Sequence, residues 1–229
     1  MDYQLGRMMD KLEELGILED TVIIFTSDNG MSLGQHGIWG KGNGTFPQNM
    51  FEHSVKVPFL ISWKGHFSEN AVCEELFSHY DILPTLCRLT GFSCETKQEI
   101  PGKSFADWLY NPEKPEDRPI VIFDEYGPVR MIRDKIWKLV LGYPYGPNEL
   151  YNLVHDPEEE QNLYDDPAYE ERIVAMRTQM EQWFRKYSDP NFDARCEGVT
   201  GSGQHCRPGI YADLKEKYGT IPKSAHERI

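Results

Sequence analysis

Leu5, Met8, Met9, Leu12 and Leu15 recur at three- and four-residue intervals. That spacing puts them on one face of a helix, and Gly16 supplies its stop. The next run, Thr21-Val22-Ile23-Ile24-Phe25-Thr26, is apolar at both parities and rich in β-branched residues, the pattern of an interior strand covered on two faces. Polar Ser27-Asp28-Asn29-Gly30 follows at once, where ligand chemistry usually sits in an open α/β sheet. Residues 31–45, punctuated by Gly34, Gly37, Gly40, Gly42 and Gly44, read as a loop. Residues 57–63 restore a strand, with Pro58 near its start, where a missing donor does least harm. Residues 81–89 read as a helix with Pro84 in the first turn and Gly91 as its stop.

The Pro- and charge-rich stretch 111–119 is the best boundary. Beyond it, 120–126, 129–133 and 137–141 predict three short antiparallel strands, and Ile173, Met176, Met180, Trp183 and Phe184 predict a helix within 167–187 that packs on them. The pattern thus divides into a region 1–110, a small subdomain 118–187 and a polar extended tail 188–229 with one short helix near 210–218.

Composition narrows the function classes. A hydrophobic share of 39% describes a globular chain with enough apolar material for a core, and no apolar run reaches the roughly 18 residues of a membrane span. The net charge of -13 argues against a nucleic-acid partner, which needs a basic face. It leaves room for a small anion, because a metal and a few cations can reverse the field inside one pocket. The acidic stretch 149–171 reads as a solvated turn and a dipole-favoured helix start; a calcium loop would need alternating carboxylates around a central glycine. The five cysteines form no zinc-type doublets, and Cys196 with Cys206 is the one local disulfide candidate.

Asp28 and Asn29 are adjacent oxygen donors of the kind that suits Ca²⁺ or Mg²⁺. Alone, Asp-Asn-Gly describes a turn as well as a ligand pair. The loop that follows carries two potential cations, His36 and Lys41, the complement a metal-bound tetrahedral anion would want.

The order of pieces resembles the type I sulfatases of the alkaline phosphatase superfamily. The pieces are the strand ending in Thr26-Ser27-Asp28-Asn29-Gly30, the loop Gln35-His36-Gly37-Ile38-Trp39-Gly40-Lys41, and Phe51-Glu52-His53-Ser54-Val55-Lys56-Val57-Pro58. Asp81-Ile82-Leu83-Pro84-Thr85, the hairpin from Val129 to Leu139, and Glu149-Leu150-Tyr151-Asn152-Leu153 as a closing turn complete it. The resemblance implies an α/β fold: the C-terminal part of a sulfatase-like mixed sheet with helices, then a small antiparallel sheet packed by one helix. It implies hydrolysis of sulfate esters, with a sulfated small molecule or glycan as substrate of the complete enzyme. Asp28 and Asn29 then correspond to two metal ligands, Lys41 to a sulfate-contacting lysine, and His36 to a histidine near the sulfate or leaving oxygen. His53 and Lys56 support the loop or lie near the substrate rim.

The resemblance also implies a formylglycine made from a Cys/Ser-x-Pro-x-Arg motif, and a second acidic ligand pair. The chain contains neither; Cys206-Arg207-Pro208-Gly209-Ile210 and Ser188-Asp189-Pro190-Asn191-Phe192 both lack the arginine. Two ligands are few for Ca²⁺, which takes about six to eight oxygens. The chain alone is therefore expected to be inactive, and to self-associate through an incompletely covered core. The rivals are a phosphonate or phosphate ester hydrolase of the same superfamily, and a non-catalytic remnant serving as an interaction module.

Overall fold

The computed structural model describes residues 1–45, 47–93, 99–112, 118–124, 128–143, 146–189 and 193. In chain order its elements are α1 (Asp2–Glu14), β1 (Ile23–Thr26), β2 (Ser32–Leu33), β3 (Trp39–Gly40), α2 (Glu52–Val55), β4 (Phe59–Ser62), α3 (Ile82–Thr90) and α4 (Ala106–Tyr110). Then come β5 (Ile120–Phe123), β6 (Val129–Arg133), β7 (Trp137–Gly142), β8 (Asn148–Asn152) and α5 (Glu170–Tyr187). The fold is α/β with antiparallel sheets. It divides into two compact units: the described residues of Met1–Asp28, Val57–Lys97 and Pro101–Glu116, and those of Asn29–Lys56, Gln98–Ile100 and Asp117–Ile229.

In the first unit, α1 ends as its pattern requires. Gly16 takes a left-handed φ of 68°, and the N–H of Ile17 closes onto the Leu12 carbonyl at 3.0 Å. No residue of α1 is buried. β1 corrects the expectation of an interior strand. Among the described residues its one strand neighbour is β4, paired antiparallel from Ile23↔Ser62 to Thr26↔Phe59, and its residues are only partly buried. Apolarity at both parities reports a demand for cover; here one strand partner meets it in part. The α3 motif is structural. Asp81, fully buried, accepts the N–H groups of Ser78 and Lys103 at 2.8 Å each, and Thr85 Oγ1 accepts from Phe105 N at 3.1 Å. These bonds satisfy backbone donors that burial would otherwise orphan. They pin residues 102–105 beside the helix; a Cβ at Gly102 would lie 1.8 Å from the Tyr80 carbonyl oxygen.

The second unit is built on the four-stranded sheet β5-β6-β7-β8. Alternate residues serve two faces. Val121, Ile132, Leu139, Leu141 and Leu150 meet Ile173, Met176, Met180 and Phe184 of α5, as the helical spacing predicts. Val129, Met131 and Val140 point the other way and meet Met50 and Val55, so residues 49–55 cover the opposite face. Two readings are corrected. The segment taken for a closing turn is a fourth strand, β8, paired with β7 from Trp137↔Asn152 to Leu141↔Asn148. The acidic stretch is not wholly solvated either, since Glu159 is 2% exposed. Residues 125–126 of the first expected strand, the helix near 210–218 and the pair Cys196 and Cys206 lie outside the described residues.

Candidate functional site

β1 hands the chain to Ser27, whose hydroxyl donates to Asp28 Oδ1 at 3.3 Å, and Asp28 is exposed. Asn29 opens the second unit. Its amide nitrogen donates to the Gly30 carbonyl at 2.9 Å, which leaves the amide oxygen to accept from Lys41 Nζ at 3.3 Å. The structure therefore brings Lys41 to Asn29 across the intervening loop.

That return is folded by close backbone approach. Gly30 N–H donates to the Ser54 carbonyl at 2.9 Å, and a Cβ at Gly30 would sit 2.1 Å from the His53 carbonyl oxygen, so only glycine fits there. The hairpin β2–β3 pairs Leu33 with Trp39 and delivers Lys41 just beyond its end. Asn49, which the sequence reading passes over, brackets the lysine's backbone. Its amide nitrogen reaches the Gly42 carbonyl at 3.1 Å and Thr45 Oγ1 at 3.2 Å, while its oxygen accepts from Ser54 Oγ at 2.6 Å. A lone asparagine in a polar loop carries no pattern that would have singled it out.

His36 is exposed, takes a left-handed φ of 54°, and stacks flat on Phe51 with ring centroids 3.7 Å apart. His53 lies edge-on at 6.4 Å, with Nε2 3.6 Å from Glu158 Oε2. His53 Nδ1 and Ser32 Oγ are buried without a hydrogen-bond partner among the described residues. Lys56 is exposed.

Beneath α2 lies a charged cluster that periodicity does not reveal. Glu52 accepts from Lys138 Nζ at 3.2 Å and pairs with Arg133, and its own N–H donates to Glu159 Oε2 at 2.6 Å. Lys138 Nζ also lies 2.7 Å from Glu159 Oε1, a charge contact outside hydrogen-bond geometry. Burial alone would raise the Glu52 carboxyl, but the cations of Lys138 and Arg133 outweigh it and hold the group below the usual carboxylate range. Glu149 is pushed up by burial, with the Glu159 carboxylate adding to it against Lys138.

As a donor set, the Asp28 carboxylate and Asn29 amide oxygen fit a hard cation, and an amide oxygen has lone pairs for both a metal and a lysine. Two such oxygens are fewer than the roughly six to eight that Ca²⁺ takes. Among the described residues no group of three His, Cys, Asp or Glu is gathered to hold a metal.

The glycine-rich loop thus brings an ammonium to the amide oxygen of an Asp-Asn pair at the end of an apolar strand. Residues 1–92 match the family model described as Sulfatase. It is 32% identical to the choline-sulfatase of Rhizobium meliloti over 167 residues, covering 69% of this chain and 30% of that protein. The solved structure of BT4656 in complex with its substrate D-glucosamine-2-N,6-O-disulfate superposes with a TM-score of 0.73 at 25% identity, over 84% of this chain and 40% of that one. The phosphonate monoester hydrolase of Agrobacterium radiobacter superposes with a TM-score of 0.66 at 27% identity, over 79% and 38%. The chain thus spans well under half the length of each of these relatives. Among the described residues no helix is long and apolar enough to cross a membrane.

Proposed function

We propose that this chain supplies one wall of the site of a sulfuric ester hydrolase, and that a sulfated sugar or small sulfate ester is the substrate of the complete enzyme. The observation that carries the reading is the approach of Lys41 Nζ to Asn29 Oδ1, in a chain that matches the sulfatase family model. Asp28 and Asn29 would contribute oxygens to a Ca²⁺ or Mg²⁺ ion. When bound, that ion supplies Lewis-acid neutralisation of the sulfate oxygens. Lys41 would bind a sulfate oxygen and stabilise negative charge developing toward the leaving group. His36, its ring plane fixed by Phe51, would present a nitrogen to the sulfate or the leaving oxygen. The nucleophile, a formylglycine in this family, has to come from a Cys/Ser-x-Pro-x-Arg segment that these residues do not contain.

The test is complementation. The 229-residue chain assayed alone with an aryl sulfate and Ca²⁺ should match a no-protein blank. Joined to a sulfatase N-terminal half carrying formylglycine, it should turn over. In that enzyme Lys41→Ala should lower kcat by about 10²–10³, the loss typical of one charge-stabilising donor. A Lys41→Ala enzyme as fast as its parent would remove the reading. The likeness to the phosphonate monoester hydrolase favours a second one. Turnover of an aryl phosphonate monoester with no sulfatase activity would select it.

A further inference from the structure

Two residues of the second unit that are neither glycine nor asparagine hold left-handed backbone conformations, His36 at φ 54° and Glu159 at φ 57°. Side chains with a Cβ avoid this region unless surrounding contacts impose it, and such outliers concentrate where geometry matters to function. Both act on the same dipeptide. His36 stacks on the Phe51 ring at 3.7 Å, and Glu159 accepts the N–H of the next residue, Glu52, at 2.6 Å. Glu159 is held in turn by the fully buried Lys138 of β7, which also reaches Glu52 Oε1 at 3.2 Å.

We propose that Glu159, with Lys138, is a positioning residue for the proposed sulfate-ester site, clamping the Phe51–Glu52 backbone so that the rings and cations of the 30–56 loop hold one geometry. The proposal rests on the sulfatase reading for its functional meaning, though not for its geometry. Stability is a poor explanation of the clamp. A buried ion pair often contributes no more than an apolar pair of the same volume, and a left-handed glutamate is unfavourable in itself. What a buried, directional contact supplies that an apolar one does not is a fixed position for the backbone N–H it accepts. From that point two lines reach the site. One runs through the Phe51 ring to His36. The other runs through α2, where Ser54 Oγ donates to Asn49, and Asn49 holds the Gly42 carbonyl next to Lys41.

The measurement is the imidazole proton spectrum of the full chain. A ring stacked 3.7 Å from Phe51 has its His36 resonances shifted upfield by the ring current, and His36→Gln assigns them by their disappearance. In Glu159→Ala the His36 signals should move downfield to the position of an exposed histidine. The methyl resonances of Met176 and Met180, which report the α5 core, should stay dispersed. Glu159→Gln keeps an acceptor for Glu52 N–H and should return His36 toward its original position, a rescue that mere loss of packing would not give. Should Glu159→Ala fail to fold, the pair Lys138→Met with Glu159→Leu removes both charges at similar volume, and the same downfield movement is expected there. An unmoved His36 in a folded Glu159→Ala or in that double variant overturns the proposal. Because the shift needs no turnover, a moved His36 beside a complemented enzyme indifferent to Lys41→Ala would uphold the clamp and remove the sulfatase reading alone.

Discussion

Replacing Lys138 by methionine keeps the length of the side chain and removes one charge. Lys138 is fully buried between two carboxylates, 3.2 Å from Glu52 and 2.7 Å from Glu159. Glu52 keeps Arg133, but among the described residues Glu159 keeps only the Glu52 N–H, so a nearly inaccessible carboxylate loses its cation. Breaking one side of a buried pair costs about 3–5 kcal/mol, because the orphaned charge stays in low dielectric. With a urea slope of about 1–3 kcal/mol per molar, the midpoint of the second unit should fall by at least about 1 M, read from Trp183 fluorescence. Removing both charges in Lys138→Met with Glu159→Leu should recover most of that loss. The pH dependence has a definite sign. In the parent, the Glu52 carboxyl sits below its unfolded value. Its contribution is therefore present above the ordinary carboxylate pKa and lost as pH falls through the depressed folded value. In Lys138→Met one of the cations holding Glu52 down is gone, and protonation relieves the buried negative charge. The gap between the two proteins should consequently narrow on acidification. A Lys138→Met protein as stable as its parent at neutral pH, or a gap that widens in acid, would refute this reasoning.

Met180→Ala should cost the second unit about 2–5 kcal/mol, since Met180 is fully buried between α5 and the sheet; a urea midpoint within error of the parent would contradict it. Gly30→Ala should displace the 53–56 backbone, with an overpacking cost on the order of 1–3 kcal/mol, and should free the Gly30 amide to exchange hydrogen; unchanged protection there would show the approach to be loose. The chain should self-associate with concentration through the half-covered β1–β4 pair and the unburied apolar face of α1, which light scattering reads directly. A strictly monomeric species at all concentrations tested would contradict that.

The fold was legible where one residue's neighbours decide its role. The 3.6-residue spacing of Ile173, Met176, Met180 and Phe184 names the buried face of α5, and all four face the sheet. The stop at Gly91 is set by its own left-handed φ of 74°. β8 was not legible. In Asn-Glu-Leu-Tyr-Asn only Leu150 and Tyr151 are buried, so the polar flanks look like a turn until pairing with β7 is known. β1 failed in the opposite way, since composition announces a need for burial without saying how much of the chain will meet it.

The site divides along the same line. Asp28, Asn29, His36 and Lys41 stand out because they are polar residues at the end of an apolar run or on a glycine-rich loop, a local signal that a family resemblance then sharpens. The charged cluster beneath α2 carries no such signal. The Glu52 to Glu159 contact spans 107 positions and the Lys138 to Glu52 contact 86. In the alternation Trp137-Lys138-Leu139-Val140, lysine falls on the face away from α5, which a reading of period two assigns to water. That face is covered instead by Met50 and Val55, from the segment that also carries Phe51 and Glu52. Once the face is covered, a lysine there must find carboxylates, because an unpaired buried ammonium is far costlier than an unpaired exposed one. Glu52 and Glu159 are the carboxylates it finds. The same sheet face that packs the loop's apolar residues therefore also fixes its charged ones. This ties the placement of Asn29 and Lys41 to strands from the other end of the chain.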